Sequence, residues 1–287
     1  MNIQLQVAAR TDIGQVRIKN EDAYVAVDLT TGTASSMPDW QGTLQLGAQG
    51  LLLAVSDGMG GAQAGEVASG LVLSSLAESL ASKPVGRSSS EQIIGAVEEA
   101  HHAVWQDACA QGMKMGATVT AVYIRGGAAY VAEVGDSRAY LIRAGRITQL
   151  TKDQSYVQLL VDAGAVRSED AQLLPMRNVI LQAMGHQPTV SVALGRLELR
   201  HLDCLLLCSD GLSTKVSDDA LRDVVLTSPD LESAAKTLID LGYRRGGEDN
   251  ATVLLAGVGG DLPAATLQEP LQQTFRVLET FDAPAVH

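Results

Sequence analysis

Residues 52–58 read Leu-Leu-Ala-Val-Ser-Asp-Gly, and residues 205–211 read Leu-Leu-Leu-Cys-Ser-Asp-Gly. Each segment is an apolar run typical of a buried strand, and each ends in Ser-Asp-Gly. A single Asp-Gly pair usually marks a hairpin turn. Asp57-Gly58 is instead followed by Met59-Gly60-Gly61 and then by a helical pattern, so no partner strand returns at once. The repeat predicts two strands that each carry a carboxylate at one end.

Similar apolar runs recur along the chain and predict a sheet protein with helices. Strands are predicted at 51–55, 118–124, 128–134, 138–143, 190–194, 197–202, 204–208 and 252–258. Helices are predicted at 66–81, at 91–110, at roughly 153–164, after Ser217, and from Ser228 with Pro229 in the first turn. Because the strands and helices come in blocks, we expect an α+β fold, an antiparallel β-sandwich with helices packed outside it.

Two segments stand apart from this pattern. Residues 28–49 are rich in Thr, Gly, Ser and Gln, and predict an extended surface loop. Residues 1–259 are expected to form one domain, with 260–287 as a C-terminal extension docked on it. In this extension Pro270 is expected to open a short helix with an apolar side formed by Leu271, Phe275, Leu278 and Phe281.

Composition narrows the class of protein. A chain of 287 residues with 46% hydrophobic content can bury one large core, and its net charge of −12 opposes binding to nucleic acid. Three cysteines, Cys109, Cys204 and Cys208, offer no even-numbered disulfide framework. The N-terminus lacks a leader pattern, and no apolar run approaches membrane-spanning length. We therefore expect a soluble, cytoplasmic protein.

Further carboxylates lie near predicted turns, at Glu21-Asp22, at Asp136 and at Glu248-Asp249. Taken singly, such residues are usually solvated turn residues, and only their conjunction with Asp57 and Asp210 suggests a site. All candidate ligands are oxygen donors, without a cysteine or a cluster of histidines. This donor set suits Mg²⁺ or Mn²⁺ better than zinc.

The motifs resemble, in order, those of the bacterial metal-dependent Ser/Thr protein phosphatases, the PPM or type 2C family. The matching segments are Asp12–Asp22, Ser56–Gly61 with Gly65–Ser69, Gly116–Thr118, Gly135–Arg138, Ser209–Leu212 and Asp249–Val253. They cover roughly residues 7–258, and six ordered motifs are a specific signal. The resemblance implies two antiparallel sheets between pairs of helices, with a metal site at one end of the sandwich.

The resemblance also implies the ligands of two Mn²⁺ or Mg²⁺ ions. Asp57 would bridge the ions, and Gly58 would lend its carbonyl to one of them. Asp210 and Asp249 would ligate the other ion.

Other matched residues are implied to act around this pair. Glu21 and Asp22 would act mainly through metal-bound waters, and Asp136 would help Asp210 to hold a third, weaker ion. Arg17 matches the arginine that holds the substrate phosphate, a contact for which a guanidinium is well shaped.

Such a site would hydrolyse phosphoserine and phosphothreonine directly. Two ions that share a carboxylate lower the pKa of a bridging water, which can attack phosphorus in line. Arg17 and metal-bound waters would stabilise the charge on the phosphoryl oxygens. Cysteine-phosphatase chemistry is disfavoured, because none of the three cysteines opens a phosphate-cradling glycine loop.

The chain departs from some relatives at positions that bear on the general acid. Met59 and Ala62 stand where some relatives carry histidine, so leaving-group protonation is expected from a metal-bound water near Asp136. Residues 153–185 look like the mobile flap segment of bacterial members, with Gln154 where relatives often have histidine. This chain's own histidines at four positions are expected to be structural: His101, His102, His186 and His201.

Two other functions remain open at this stage. A catalytically silent module that binds phosphoproteins would be expected to lack one or more of the metal aspartates, and a metallohydrolase of small phosphate esters is barely distinguished by the sequence. The expected partners are phosphorylated proteins, including a Ser/Thr kinase and its substrates, with no nucleic acid and no membrane. The protein is expected to be a monomer.

Overall fold

The computed structural model describes residues 2–36, 38–60, 64–82, 87–171, 174, 176–266 and 269–283. Its strands are β1 (Ile3–Asp12), β2 (Asp22–Asp28), β3 (Thr33–Ser35), β4 (Asp39–Gln45), β5 (Leu51–Gly60), β6 (Met115–Ala117), β7 (Val119–Arg125), β8 (Ala128–Val134), β9 (Arg138–Arg143), β10 (Arg146–Gln149), β11 (Ala193–Glu198), β12 (Cys204–Cys208), β13 (Ala251–Gly260) and β14 (Phe275–Glu279). Its helices are α1 (Ala64–Ser82), α2 (Ser89–Gln111), α3 (Tyr156–Asp162), α4 (Ser168–Ala171), α5 (Asp210–Ser213), α6 (Asp218–Thr227), α7 (Leu231–Arg244) and α8 (Leu271–Thr274). Gly61 and Ala62, which the sequence argument used, lie outside the described residues.

The strands form two antiparallel sheets. The first sheet has the order β10-β9-β12-β13-β1-β4, and the second has the order β14-β11-β8-β7-β5-β2-β3, with β6 paired to the end of β5. In β1 the buried residues Ile3, Leu5 and Val7 alternate with exposed glutamines, so this strand turns one face to the opposite sheet. The two sheets therefore share one apolar layer.

Helices cover the outer face of each sheet. The pair α1 and α2 packs on the second sheet through residues such as Val72, Leu76 and Val97, whereas α5, α6 and α7 pack on the first sheet through residues such as Leu212 and Leu238. Helix α2 begins with a capping box between Ser88 and Glu91, which satisfies free backbone amides at the helix N-terminus. The layers run α-β-β-α, so the predicted fold class is confirmed.

The sequence prediction was wrong in several segments. Residues 28–49 are not one loop, because they contain β3 and the edge strand β4, which pairs with β1 despite its polar composition. The two strands predicted at 190–194 and 197–202 are replaced by one strand, β11, which covers only Ala193–Glu198 and includes Gly195-Arg196. Ser228 ends α6 instead of opening α7, whose N-cap is Asp230.

The segment after β13 joins the second sheet. A short helix does follow Pro270, but residues 275–279 form β14, which pairs with β11, so the predicted helical side through Phe275 and Leu278 was wrong there. Thr274 accepts a hydrogen bond of 2.7 Å from Arg143, which ties the segment to β9. The domain boundary at residue 259 stays a prediction.

Two further observations concern the whole chain. Within its described part, every helix is too short or too polar to span a bilayer. Cys204 and Cys208 are buried on β12 and Cys109 is exposed on α2, and all three are free thiols.

Candidate metal centre

Five aspartates from separate segments meet at one end of the sandwich. Asp22, at the start of β2, lies directly opposite Asp57 on β5. Asp210 follows β12 as the first residue of α5, Asp249 lies just before β13, and Asp136 lies in the turn between β8 and β9. Adjacent antiparallel strands bring these strand ends to the same edge. We call Asp22, Asp57, Asp136, Asp210 and Asp249 the acidic site.

The electrostatics of the acidic site show that its carboxyl groups repel one another. Burial, followed by the charges of Asp22, Asp210, Asp136 and Asp249, holds the pKa of Asp57 well above its ordinary value. The pKa values of Asp136 and Asp210 are raised for the same reasons, burial first and then a neighbouring aspartate. Without an added positive charge, the site cannot keep all five carboxylates ionised cheaply.

Two buried oxygens in the site have no hydrogen-bond partner among the described residues, Asp22 Oδ1 and Asp210 Oδ1. Unsatisfied buried acceptors are rare in proteins, and a cation would satisfy them. Among the described residues, no three His, Cys, Asp or Glu side chains are placed so that they alone could enclose one ion. An ion here would take part of its shell from backbone carbonyls and water, as Mg²⁺ usually does. The donor set thus fits hard divalent cations.

The other oxygen of Asp22 is held by two residues that the sequence argument missed. Ser209 and Thr252 each donate a hydrogen bond of 2.7 Å to Asp22 Oδ2. Burial raises the pKa of Asp22 to about 7, although these two hydrogen bonds act in the opposite direction. Both residues lie inside quoted motifs, Ser209 beside Asp210 and Thr252 three positions after Asp249. Their place in those motifs was the signal available.

Asn250 joins its own motif, 249–253, to the first motif, 12–22, and the sequence analysis did not single it out. Its side chain donates to the carbonyls of Ile13 and Lys19, at 2.9 Å each, and its Oδ1 accepts from the amide of Glu21 at 2.9 Å. Gly14 packs so closely here that a Cβ would lie 2.4 Å from the carbonyl oxygen of Asp249. These contacts place the segment that carries Arg17 and Glu21 over the acidic site.

Glu21 and Gly58 lie together at the start of α1. The amide of Gly58 donates to the carbonyl of Glu21 at 3.1 Å, and Ser69 donates to the same carbonyl at 2.6 Å. A Cβ on Gly58 would lie 2.0 Å from the carbonyl oxygen of Gly65. Glycine is therefore required here by the backbone of α1. The metal role of the Gly58 carbonyl stays a prediction.

The turn that carries Asp136 is supported from the flap side. The backbone amide of Gly135 donates to the side-chain oxygen of Gln154 at 2.7 Å, and the backbone amide of Gln154 donates to the carbonyl of Gly135 at 2.8 Å. Ser137 shares a 2.8 Å hydrogen bond with Thr118. Gln154 is buried, so at this position the segment 153–185 packs against the domain and is not a plain surface loop.

Arg17 lies at the open side of the acidic site. It donates to Asp249 Oδ2 at 2.7 Å, and half of its side chain remains exposed. This hydrogen bond, with the charges of Asp249, Asp57 and Glu21, raises the pKa of Arg17. A groove of about 370 Å³ beside it is lined by Arg17, Arg177, Lys215, Asp210 and Asp249 among others. The groove thus combines cationic side chains with an acidic floor.

His101 is one of the histidines that were expected to be structural. His101 is buried in α2, where its Nδ1 accepts from the amide of Gly185 at 3.1 Å. Burial lowers the pKa of this imidazole. His101 therefore acts in packing, as expected.

Several known proteins are similar to this chain in sequence and fold. Residues 36–158 match a family model described as Protein phosphatase 2C. The serine/threonine protein phosphatase PstP of Mycobacterium tuberculosis is 39% identical over 263 residues, which are 90% of this chain and 46% of PstP. A putative protein phosphatase 2C-type of Streptococcus pyogenes is 31% identical, over 88% of this chain and 96% of its own length. This chain therefore spans about half the length of PstP but nearly all of the streptococcal relative.

A solved structure allows a direct comparison of folds. The catalytic domain of PstP, in complex with 2 manganese ions, superposes on this chain with a TM-score of 0.73 at 36% identity. The superposition covers 90% of this chain and all of that domain.

Proposed function

Because this chain belongs to the protein phosphatase 2C family, we propose that it is a metal-dependent phosphatase that hydrolyses phosphoserine and phosphothreonine in proteins. The named relatives are serine/threonine or 2C-type protein phosphatases, and one of them binds manganese. The observation that carries the proposal is the acidic site itself, where five aspartates from five segments converge and two carboxylate oxygens lack a hydrogen-bond partner within the described part of the chain.

Different residues of the acidic site are proposed to bind different ions. Among the neighbouring charges, those of Asp22 and Asp210 act most strongly on Asp57. Asp57 is therefore the proposed bridging ligand, with the Gly58 carbonyl beside it. Asp210 and Asp249 are the proposed ligands of a second ion, and Asp136 would share a third with Asp210. Mn²⁺ or Mg²⁺ bound there supplies positive charge and lowers the pKa of coordinated water.

Glu21 and Asp22 are proposed to act from the edge of the site. Asp22 cannot turn freely, because Ser209 and Thr252 fix one of its oxygens. Its other oxygen remains available to order water. Glu21, packed against Gly65, would orient water in the same way from the start of α1.

Arg17 is the proposed phosphate-binding residue. Its guanidinium is already over the acidic site and half exposed, so it can reach an incoming phosphate while it stays close to Asp249. A planar guanidinium can donate two parallel hydrogen bonds to a phosphate and stabilise the charge that develops on its oxygens. The groove beside it would hold the flanking peptide.

A covalent phosphoenzyme is not part of the proposal. Burial raises the pKa values of Cys204 and Cys208 to about 12, so both thiols stay protonated. Direct attack by water is the chemistry that the oxygen-lined acidic site favours.

The test is phosphate release from a phosphothreonine peptide, measured with Mn²⁺ and with chelator. We expect turnover to require the metal and the Asp57→Asn variant to lose more than about 100-fold, because even residues that only orient metal ligands contribute about 10- to 100-fold. The matched control is Asp107→Asn, the same change on the exposed side of α2. Wild-type turnover in the Asp57 variant would disprove the assignment.

Two alternatives are separated by the same assay. A silent phosphoprotein-binding module would release no phosphate under any metal condition. A small-ester hydrolase would turn over nucleotides or small phosphate esters at least as fast as phosphopeptides. We expect the phosphopeptide to be preferred, and the substrates to include a Ser/Thr kinase and its targets.

A further inference from the structure

The residues on both sides of Asp136 contact one side chain, that of Thr118. The Ser137 hydroxyl shares a hydrogen bond of 2.8 Å with the Thr118 hydroxyl. Gly135 lies so close on the other side that a Cβ would be 2.7 Å from Cγ2 of Thr118. The φ of Gly135 is also +114°, a conformation that residues with a side chain rarely adopt. The turn that carries Asp136 is therefore held against Thr118 by a polar and an apolar contact.

The same threonine holds the backbone of Asp57. Its hydroxyl accepts a hydrogen bond of 2.9 Å from the amide of Asp57, and its own amide donates to the Asp57 carbonyl at 2.8 Å. Its carbonyl accepts from the Ser56 hydroxyl at 2.6 Å. Thr118 lies between β6 and β7, where β5 changes its partner strand from one to the other. It is thus bonded to the strand end that presents the proposed bridging ligand.

These contacts are made away from water. Thr118 and Ser137 are 1% and 0% exposed, and the buried Thr120 hydroxyl donates to the Ser137 carbonyl at 2.9 Å. Hydrogen bonds are stronger in such a low-dielectric setting than in water, and solvent does not replace a lost partner. The spacing between Asp57 and Asp136 therefore depends on one hydroxyl, that of Thr118, which contacts both segments.

We propose that Thr118 and Ser137 are positioning residues, which set the place of Asp136 relative to Asp57. The inference rests on the proposed function, in which Asp57 binds the two main ions and Asp136 helps to bind a third, weaker ion. Residues that orient metal ligands contribute about 10- to 100-fold to metal affinity. Loss of either hydroxyl should therefore change how tightly ions are bound, and not only how stable the fold is.

The two hydroxyls are expected to affect different ions. Ser137→Ala frees the Asp136 turn alone, because Thr118 keeps its bond to the Asp57 amide, so only the weaker ion should be lost more easily. Thr118→Val keeps the shape of the side chain but removes both bonds, so it should weaken the binding of all the ions. Thr118→Ser keeps the hydroxyl and should retain most of the affinity for both classes of ion.

Binding of Mn²⁺ to the full chain is measured by equilibrium dialysis without substrate, and Asp57→Asn and Asp136→Asn assign the tighter and weaker classes of ion. Ser137→Ala should weaken the Asp136-dependent class at least about tenfold and leave the tighter class unchanged. The matched control is Ser79→Ala, which removes a buried hydroxyl that donates to Glu99 between α1 and α2. This control should leave both classes unchanged.

Urea denaturation with chelator shows how stable each variant is, and Ser137→Ala and Thr118→Ser carry the test if Thr118→Val does not fold. Equal weakening of both classes in Ser137→Ala, unchanged binding in that variant, an equal effect of Ser79→Ala, or the absence of an Asp136-dependent ion would each overturn the inference. The proposed function is judged separately, by Mn²⁺-dependent phosphate release and its loss in Asp57→Asn. The function can therefore stand where the positioning role fails.

Discussion

The acidic site and the Arg143–Asp203 pair both bury charge, but only in the pair is each carboxylate matched by a buried cation. Arg143 and Asp203 are 8% and 1% exposed, and two parallel hydrogen bonds of 2.7 Å join them. The backbone amide of Arg200 also donates to Asp203 at 2.7 Å. At the acidic site five aspartates face a half-exposed Arg17.

The difference separates charge that stabilises the fold from charge that awaits a ligand. The Arg143–Asp203 pair ties β9 to the turn before β12 and, through Thr274, to the C-terminal segment. It is complete within the chain. The carboxylates of the acidic site repel one another and destabilise the metal-free fold, and bound cations would relieve this repulsion. The same repulsion therefore favours cation binding.

The largest expected effect compares the same change at the two places in metal-free protein. Asp203→Asn leaves Arg143 buried without its charge partner and should cost about 3–5 kcal/mol of unfolding free energy. Asp57→Asn removes repulsion and should cost nothing or stabilise. Urea denaturation with chelator at neutral pH measures both. An equal loss in the two variants would break the comparison.

The dependence of the unfolding free energy on pH tests the repulsion at the acidic site through Asp22. Its pKa rises from 3.8 to about 7 on folding, so the folded protein keeps a proton that the unfolded chain has lost. The stability from this proton is fully present below about pH 4 and is lost as pH rises through about 7.

Metal-free wild-type protein should therefore lose stability relative to Asp22→Asn between pH 4 and pH 8. Roughly 3 pKa units, at about 1.4 kcal/mol each, set a ceiling of about 4 kcal/mol. Denaturation of both proteins at each pH gives the difference. A difference that does not change with pH would contradict the raised pKa.

Added Mn²⁺ should stabilise through the acidic site alone. At a concentration 100 times the Kd, binding to the folded state adds about 2.7 kcal/mol to the unfolding free energy. Asp203→Asn should keep this increment, because its defect is elsewhere, and Asp57→Asn should lose most of it. The same denaturation experiment with and without Mn²⁺ reports it, and an increment preserved in Asp57→Asn would place the ion elsewhere.

The smallest expected effect concerns Arg17. Arg17→Lys keeps the charge but loses the two-pronged contact, so kcat/KM for a phosphopeptide should fall about tenfold, equivalent to about 1.4 kcal/mol. Arg10→Lys is the control, since Arg10 pairs with Asp39 on the surface. A loss of similar size in both variants would remove Arg17 from the proposed phosphate contact.

Local sequence patterns located the helices and strands whose buried residues recur at the regular spacing of a helix or form a continuous apolar run. Helices predicted at 66–81 and 91–110 occur at Ala64–Ser82 and Ser89–Gln111, and the strand before Asp210 occurs where it was predicted. Strands β1 and β4 were missed because the strand prediction relied on continuous apolar runs, which the alternating start of β1 and the mostly exposed β4 do not have. One of the two partners of β1 in the first sheet is β13, which is far away along the chain.

The sequence by itself determined the layered fold, through apolar periodicity, and the identity of the acidic residues, through ordered motifs at the ends of strands. Only the tertiary structure decided that Asp22 faces Asp57 across two strands, that Asn250 fastens the Arg17 segment, and that Thr118 contacts both neighbours of Asp136. A local pattern reports whether a residue will be buried. It does not report which distant residue will lie opposite, because register and pKa depend on the packing of both sheets at once.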